Sequence, residues 1–277
     1  MTTSDSPPDR YALVGHPVEH SRSPLIHQLF ARQTGQNLTY ELIDAEPQSL
    51  ETAVLGFSAA GGKGMNVTVP HKEAAFELAH EVSAAAQQAG AVNTLSFFDG
   101  RIRGDNTDGI GFIRDLRVNQ RQVVEGRRVL ILGAGGATRG IVAPLLQSRP
   151  STLVIANRTI ERAQLLARHF AGPDELHTMT FAQLAMQEAF DIVINATSAG
   201  LKGEAPPFPA SVIAATTFAY DLVYSVNATP FVTWARAHGA AQAAQGWGML
   251  VEQAAESFYI WRGVRPDTAA ILKQLVS

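Results

Sequence analysis

Short apolar strands and segments with helical apolar spacing alternate along this chain, and the alternation starts twice. That pattern restricts the fold to mostly parallel sheets covered by helices, an α/β architecture. In the first half, Tyr11-Ala12-Leu13-Val14-Gly15 is an apolar strand closed by glycine. Residues 25–33 place Leu25, Ile26, Leu29 and Phe30 at helical spacing, and Gly35 stops them. A second strand is expected over 38–43, a helix over 50–60, a third strand over 65–69 and a third helix over 71–82. Residues 94–103 predict a hairpin with Asp99-Gly100 as the turn pair, and 109–118 a linking helix. The largely polar stretch 119–126 approaches a boundary. Strands are then expected at 128–132, 153–156, 192–196 and 218–223. Helices are expected from the glycine-rich turn through 146, over 159–170, and at 249–262 and 268–276.

Composition narrows the functional classes. With 277 residues, 46% of them hydrophobic and 17% charged, the chain has ample apolar mass for a core. A net charge of -3 argues against a general nucleic-acid binder. The absence of cysteine excludes disulfides, thiolate metal sites and cysteine nucleophiles, and it fits a cytoplasmic setting. The polar start over residues 1–10 lacks the pattern of a signal peptide, and no apolar run approaches the ~20 residues of a membrane span.

One strand carries the most chemistry. Gly64-Met65-Asn66-Val67-Thr68-Val69-Pro70-His71-Lys72 ends in a polar cluster with a lysine at its tip. Gly90-Ala91-Val92-Asn93-Thr94 and Gly104-Asp105-Asn106-Thr107-Asp108-Gly109 could meet it there. Together they offer a cation, a carboxylate, carboxamides and hydroxyls, a set suited to a small polyhydroxylated substrate and a proton transfer. A merely solvated lysine would be badly placed at a helix start, where the dipole favours anions. Asp108 reads either as a helix cap or as an acid–base group, and it can be both. Ser21 and Ser23 precede Pro24, which suits a first helical turn; they read as one capping serine or as two hydroxyls binding a carboxylate. The spacing of His16, His20, His27 and His71 does not suggest a metal centre.

Gly133-Ala134-Gly135-Gly136-Ala137-Thr138 follows a strand and opens a helix, the setting in which backbone N–H groups approach a pyrophosphate. Thr138 stands where the fingerprint has its third glycine. The next strand ends Ala156-Asn157-Arg158-Thr159 and lacks the acid that bonds the ribose of NAD. Arg158, with Arg162 four positions on, can instead pair with a 2′-phosphate, so NADP is the expected cofactor.

These blocks, in this order, resemble the shikimate dehydrogenase family over residues 11–263. Further matching blocks are Gly15 to Pro24, Asn195-Ala196-Thr197-Ser198, Tyr220-Asp221-Leu222-Val223-Tyr224, and Gly246 with Gln253-Ala254-Ala255. The resemblance implies two domains: a mostly parallel α/β substrate domain over 1–112 plus 246–277, and a Rossmann-like NADP domain over 113–245. It implies reversible NADPH-dependent reduction of 3-dehydroshikimate to shikimate, an oxidoreductase step of aromatic amino-acid biosynthesis. Lys72 matches the family's catalytic lysine and Asp108 its partner aspartate. Ser21, Ser23, Thr68, Asn93, Tyr224 and Gln253 match substrate contacts, as does Asp108. Gly133, Ala134, Gly135, Gly136 and Ala137, with Asn157, Arg158, Thr159 and Arg162, match NADP contacts. Leu222 and Gly246 match positions near the nicotinamide, with Thr197 beside them. Ala84, Gln28 and Leu222 depart from residues frequent in the family; none is part of the proton-transfer pair.

The partner expected is a small molecule, with neither nucleic acid nor membrane, and the protein is expected as a monomer or homodimer. A quinate/shikimate dehydrogenase using NAD is the nearby alternative; Arg158 and Ser23 argue against it. A non-catalytic metabolite sensor on the same fold is a third reading, opposed by the intact Lys72 and Asp108.

Overall fold

The computed structural model describes residues 6–170, 176–197 and 208–276. The chain's first five residues, Ser198 of the Asn195-Ala196-Thr197-Ser198 block and Ser277 lie outside them. Two compact units form: Met1–Thr107 with Val251–Leu275, and Asp108–Leu250. Among the described residues no helix is long and apolar enough to cross a membrane.

The first unit runs β1 (Asp9–Gly15), α1 (Ser23–Thr34), β2 (Leu38–Asp44), α2 (Leu50–Ala59), β3 (Gly62–Val67), α3 (Lys72–Leu78), β4 (Glu81–Val82), α4 (Ala84–Ala89), β5 (Thr94–Phe98) and β6 (Arg101–Asp105). Its sheet has the order β2-β1-β3-β5-β6-β4. β1 is parallel to β2 and β3, β4 to β6, and β5 is antiparallel to both its neighbours. The β5–β6 hairpin turns at Asp99 and Gly100, whose φ of 49° and 72° give the twist that a two-residue hairpin needs. Ala12, Val14, Met65, Val67 and Leu95 build one buried core with Val54 and Phe57 from α2.

The expected helix over 71–82 is interrupted. α3 stops at Leu78, Glu81-Val82 joins the edge of the sheet beside Arg103-Gly104, and α4 starts afresh. Ser83 explains the restart: its hydroxyl accepts the Ala86 N–H at 3.2 Å, satisfying a donor at a helix start where a continuous helix would have none free. Gly90, at φ 59°, closes α4.

The second unit opens with α5 (Asp108–Arg114) and a π-helical turn, Asp115–Asn119. It continues β7 (Arg128–Leu132), α6 (Gly136–Gln147), β8 (Thr152–Ala156), α7 (Ile160–His169), β9 (Leu176–Met179), β10 (Ile192–Asn195), β11 (Phe218–Asp221), α8 (Pro230–Ala237) and β12 (Gln242–Gln245). All six strands are parallel, in the order β12-β11-β10-β7-β8-β9. Alternate residues of β7, β8 and β10 enter cores on opposite faces, Val129, Ile131, Leu153 and Ile155 on one, Leu130, Leu132 and Val154 on the other. That double burial is why these strands are unbroken apolar runs. α9 (Trp247–Arg262) and α10 (Thr268–Val276) follow, and the chain returns to the first unit at Val251.

Candidate active site

In the first unit, the carboxamides and hydroxyls of the sequence motifs converge in one buried network. Asn66, 5% exposed, is the next-to-last residue of β3 and a buried polar residue between Met65 and Val67. Its Nδ2 donates to Asn93 O at 3.1 Å, Thr94 Oγ1 at 3.1 Å and Ser257 Oγ at 2.9 Å. The Asn93 side chain accepts the Thr107 N–H at 2.8 Å and donates to Thr107 Oγ1 at 2.9 Å and to Gln253 Oε1 at 3.3 Å. Asn93 and Gln253 are thus in contact across 160 positions of sequence. Thr107, fixed by Asn93, immediately precedes Asp108 in the chain.

Lys72 is half-buried and opens α3. Its carbonyl accepts the Val92 N–H at 2.8 Å, which ties the lysine's turn to the segment carrying Asn93. Thr68 sits just past β3, its N–H bonded to Val14 O at 2.9 Å. A β-carbon on Gly15 would fall 2.3 Å from the Thr68 methyl group, so this approach of strand tip to strand tip requires glycine at position 15.

The serine loop joins the same network from the other side. Ser21 Oγ donates to Ser23 Oγ at 3.2 Å and accepts the Ser23 N–H at 3.2 Å. α1 begins at Ser23 with Pro24 in its first turn, and no side chain caps it. The Tyr40 hydroxyl donates to Asn66 Oδ1 at 2.8 Å. Burial raises the Tyr40 pKa well above its usual value, opposed by a hydrogen bond from Ser23. Ser21, Ser23, Asn93 and Gln253 are thereby connected through Tyr40 and Asn66. The loop's root is held by Asp44, which pairs with His16 and accepts the Val18 N–H at 3.3 Å. Each partner favours the other's charged form, so the His16 pKa is raised and that of Asp44 lowered.

His27 lies behind Tyr40, stacked on it at 4.2 Å between ring centroids, 1% exposed and with neither ring nitrogen hydrogen-bonded. Burial lowers its pKa to about 3, the neighbouring Asn66 carboxamide opposing the shift weakly. Above the unfolded value of 6.5 both states are neutral. Between 6.5 and about 3 the unfolded chain binds a proton that the folded one refuses, so stability from this residue falls as pH drops. The stability of wild type relative to a His27→Phe variant is expected to fall by about 2 kcal/mol between pH 7.5 and pH 5, measured by urea unfolding. An unchanged difference would mean that the ring accepts a proton in place.

The second unit holds Asp108, 3% exposed, as the first residue of α5. A β-carbon on Gly140 would lie 2.8 Å from Asp108 Cβ and 3.0 Å from its Oδ2. One on Gly109 would lie 2.4 Å from Pro144 Cγ. Two glycines therefore let α5 press against α6 and seat the carboxylate there.

α6 starts at the carboxyl end of β7, where the strand order reverses on either side and ligands of open α/β sheets bind. Gly133 adopts φ 107° and donates its N–H to Ala156 O at 2.7 Å. Thr138 turns its hydroxyl back onto Gly133 O at 2.9 Å and is fully buried, so it braces the turn from inside. β-carbons built on Gly135 and Gly136 would meet nothing within 4 Å. Room is thus left beside these two glycines at the start of a 12-residue helix, the kind of position at which N–H groups bind a pyrophosphate. Ala134 and Ala137 complete this small-residue cradle, half-buried.

Arg158 and Arg162 are both exposed. Only Arg162 is on α7; Arg158 stands before the helix, with Thr159 at its N-cap position, so the spacing of four positions between the two is not a helical one. Asn157 fixes this corner by donating to Thr159 O at 2.8 Å. At the opposite strands, Thr197 N–H and Oγ1 donate to Asn195 Oδ1 at 3.1 and 2.7 Å. Gly246 donates its N–H to Val223 O at 3.1 Å and presses on Leu222, where a β-carbon would be 2.4 Å from the carbonyl oxygen. Tyr224 packs on Trp247 at 4.6 Å between rings, and Trp247 Nε1 donates to Ser225 O at 3.2 Å.

The sequence reading gave no role to Tyr40, Thr107, Asn195, Asp221, Gly140 or Ser257. A signal existed for two of them: Asn195 and Asp221 each close an otherwise apolar strand with a polar residue.

Comparison with known proteins gives three family matches along the chain. A "Shikimate dehydrogenase substrate binding domain" matches residues 13–95, "Shikimate / quinate 5-dehydrogenase" matches 116–202, and "Shikimate 5'-dehydrogenase C-terminal domain" matches 246–276. A shikimate dehydrogenase (NADP(+)) of Alkalilimnicola ehrlichii is 54% identical over 267 residues, covering 96% of this chain and 98% of that one. The crystal structure of an Ael1 enzyme from Pseudomonas putida is 49% identical with a TM-score of 0.89, covering 97% of this chain and 98% of that one. That of a shikimate 5-dehydrogenase from Thermus thermophilus, in complex with NADP(H) and shikimate, is 34% identical with a TM-score of 0.85, covering 96% and 97%.

Proposed function

The chain belongs to the shikimate dehydrogenase family, and on that footing we propose that it reduces 3-dehydroshikimate reversibly to shikimate with NADPH. Residues 1–112 with 246–277 form the substrate domain of this reading, and 113–245 the NADP domain. The observation that supports it most is the Asn93 carboxamide, which joins Gln253 and the residue before Asp108 in one polar cluster beside the turn of Lys72.

Reduction of a ketone needs a hydride on carbon and a proton on oxygen. NADPH supplies the hydride when bound. Lys72 bonds the carbonyl oxygen through its ammonium and holds the proton that this oxygen takes up; in the reverse direction the neutral amine receives it. Asp108 orients the ammonium and accepts a hydrogen bond from the neighbouring substrate hydroxyl. Ser21, Ser23 and the Tyr224 phenol bind the substrate carboxylate, while Thr68, Asn93 and Gln253 hold the ring hydroxyls. In the cofactor unit, the N–H groups of the Gly133 to Ala137 turn hold the pyrophosphate. Asn157, Arg158, Thr159 and Arg162 hold the 2′-phosphate, and Thr197, Leu222 and Gly246 line the nicotinamide. The enzyme acts as a monomer or homodimer in the cytoplasm, a setting that its lack of cysteine suits.

Steady-state rates with shikimate or quinate, each with NADP or NAD, test the reading. The largest kcat/KM is expected for shikimate with NADP; a larger value for quinate with NAD would overturn it. Arg158→Ala should weaken NADP binding about 10–150-fold, the range of a charge-assisted hydrogen bond, and leave NAD nearly unchanged. Equal losses for both cofactors would remove the 2′-phosphate contact.

A further inference from the structure

Among the described residues, the carboxyl ends of β10 and β11 are tied together by one carboxylate that the mechanism above does not use. Asp221 closes β11, is 0% exposed, and is bonded through both oxygens. Its Oδ1 accepts Asn195 Nδ2 at 3.0 Å and the Val223 N–H at 3.1 Å, and its Oδ2 accepts the Thr229 hydroxyl at 2.6 Å. Each bonded partner reaches further. Asn195 Oδ1 holds Thr197 by two hydrogen bonds, and Asn195 O accepts the Leu222 N–H at 2.9 Å. Val223 O accepts the Gly246 N–H at 3.1 Å. Thr229 Oγ1 accepts the Val232 N–H at 3.2 Å and so caps α8. The Thr197 methyl in turn lies over Gly133, 3.1 Å from where a β-carbon would stand.

We propose that Asp221 is a positioning residue for the nicotinamide half of the cofactor: it sets Thr197, Leu222 and Gly246 in register without touching the cofactor itself. The inference rests on the reading that those three residues line the nicotinamide. Its physical content lies in the donor set. A carboxamide N–H and a backbone N–H point at Oδ1 and a hydroxyl at Oδ2, three donors gathered on one buried carboxylate. Burial raises the Asp221 pKa and the three donors oppose the rise, so they offset the cost of a desolvated charge. A dry carboxylate is a stiff tie, because water cannot replace its partners. The pyrophosphate cradle and the 2′-phosphate corner lie at β7 and β8, outside this set of bonds. The two halves of the cofactor should therefore respond differently to its loss.

Asp221→Asn tests this, since the carboxamide keeps the shape but removes the charge and replaces the oxygen that accepts the Thr229 hydroxyl with an NH2 group. Adenosine 2′,5′-bisphosphate, which carries only the phosphate-tagged adenosine half, serves as the second probe. Expected are a fall in kcat/KM for NADPH of about tenfold or more and a Ki for the bisphosphate within about twofold of wild type. An unchanged kcat/KM, or a Ki weakened in step with it, overturns the inference. Thr229→Val, which removes one donor, should show the same split more mildly, while Thr229→Ser, which keeps the hydroxyl, should resemble wild type. The pair carries the test if Asp221→Asn does not fold, and equal behaviour of the two overturns the inference. A wild type inert with shikimate and NADP overturns the functional reading and this inference with it. An active wild type with an unaffected Asp221→Asn overturns the inference alone.

Discussion

Replacing Lys72 with alanine is expected to lower kcat by roughly 10²–10⁴-fold, the usual worth of a positioned general acid, while KM for shikimate stays within a few-fold. The split follows from where the group acts. In the proposed reading Ser21, Ser23, Asn93 and Gln253 are substrate contacts, and they are connected to one another through Tyr40 and Asn66 by bonds that do not involve the lysine ammonium. Removing the ammonium leaves that scaffold and takes away the proton donor. Steady-state kinetics in the direction of shikimate oxidation read both parameters. A near-normal kcat would take Lys72 out of the chemistry; a kcat preserved with a greatly raised KM would recast it as a substrate anchor.

The largest stability effect is expected at Gly248, in the first turn of α9. A β-carbon there would stand 1.9 Å from Asp115 Oδ1 and 2.3 Å from its Cγ, far inside contact distance. Asp115 cannot yield easily. It is 0% exposed, its Oδ1 accepts Asn119 Nδ2 at 2.9 Å, and its Oδ2 accepts the hydroxyl of buried Tyr220. Burial and the Asp115 charge both raise the Tyr220 pKa well above its usual value, so the phenol keeps its proton and the bond. Gly248→Ala must therefore shift a buried, bonded carboxylate or the start of α9. A loss of about 3 kcal/mol or more is expected, read as a fall in Tm of roughly 10 °C. Asp115→Asn combined with Gly248→Ala should not restore it, since an amide occupies the same space. A Gly248→Ala variant that melts with wild type would show that α9 starts with slack that the packing does not reveal.

The parts of the fold that the sequence discloses are those where burial writes a pattern. β7, β8, β10 and β11 are apolar because both faces are covered, and their runs are plain in the chain. β9 and β12, the outer strands of the same sheet, are half exposed, and Gln242-Ala243-Ala244-Gln245 carries neither apolar alternation nor β-branched residues. α8 is short, and only Thr229-Pro230 marks its start locally, by a capping hydroxyl and a first-turn proline. The break between α3 and α4 is a tertiary effect: pairing of Glu81-Val82 with β6 outweighs local helical spacing.

The candidate site divides in the same way. Residue types such as the lysine at a strand tip and the glycines before α6 announce their chemistry locally. Tyr40 and Ser257 do not, because what gives each its role is a partner on another element: Ser257 Oγ meets Thr94 Oγ1 at 2.8 Å across 163 positions. Gly140 is likewise ordinary in sequence, and only the closeness of Asp108 explains it.

A threonine that braces the glycine turn has one more implication. Where the fingerprint has a third glycine for close packing, the bond from Thr138 to Gly133 ties the first residue of the turn to its helix. The proposed anion seat thus carries its own brace, and a braced turn has less ordering to undergo when it binds. A motif defined by three glycines alone would pass over chains that reach the same rigidity with a single hydroxyl.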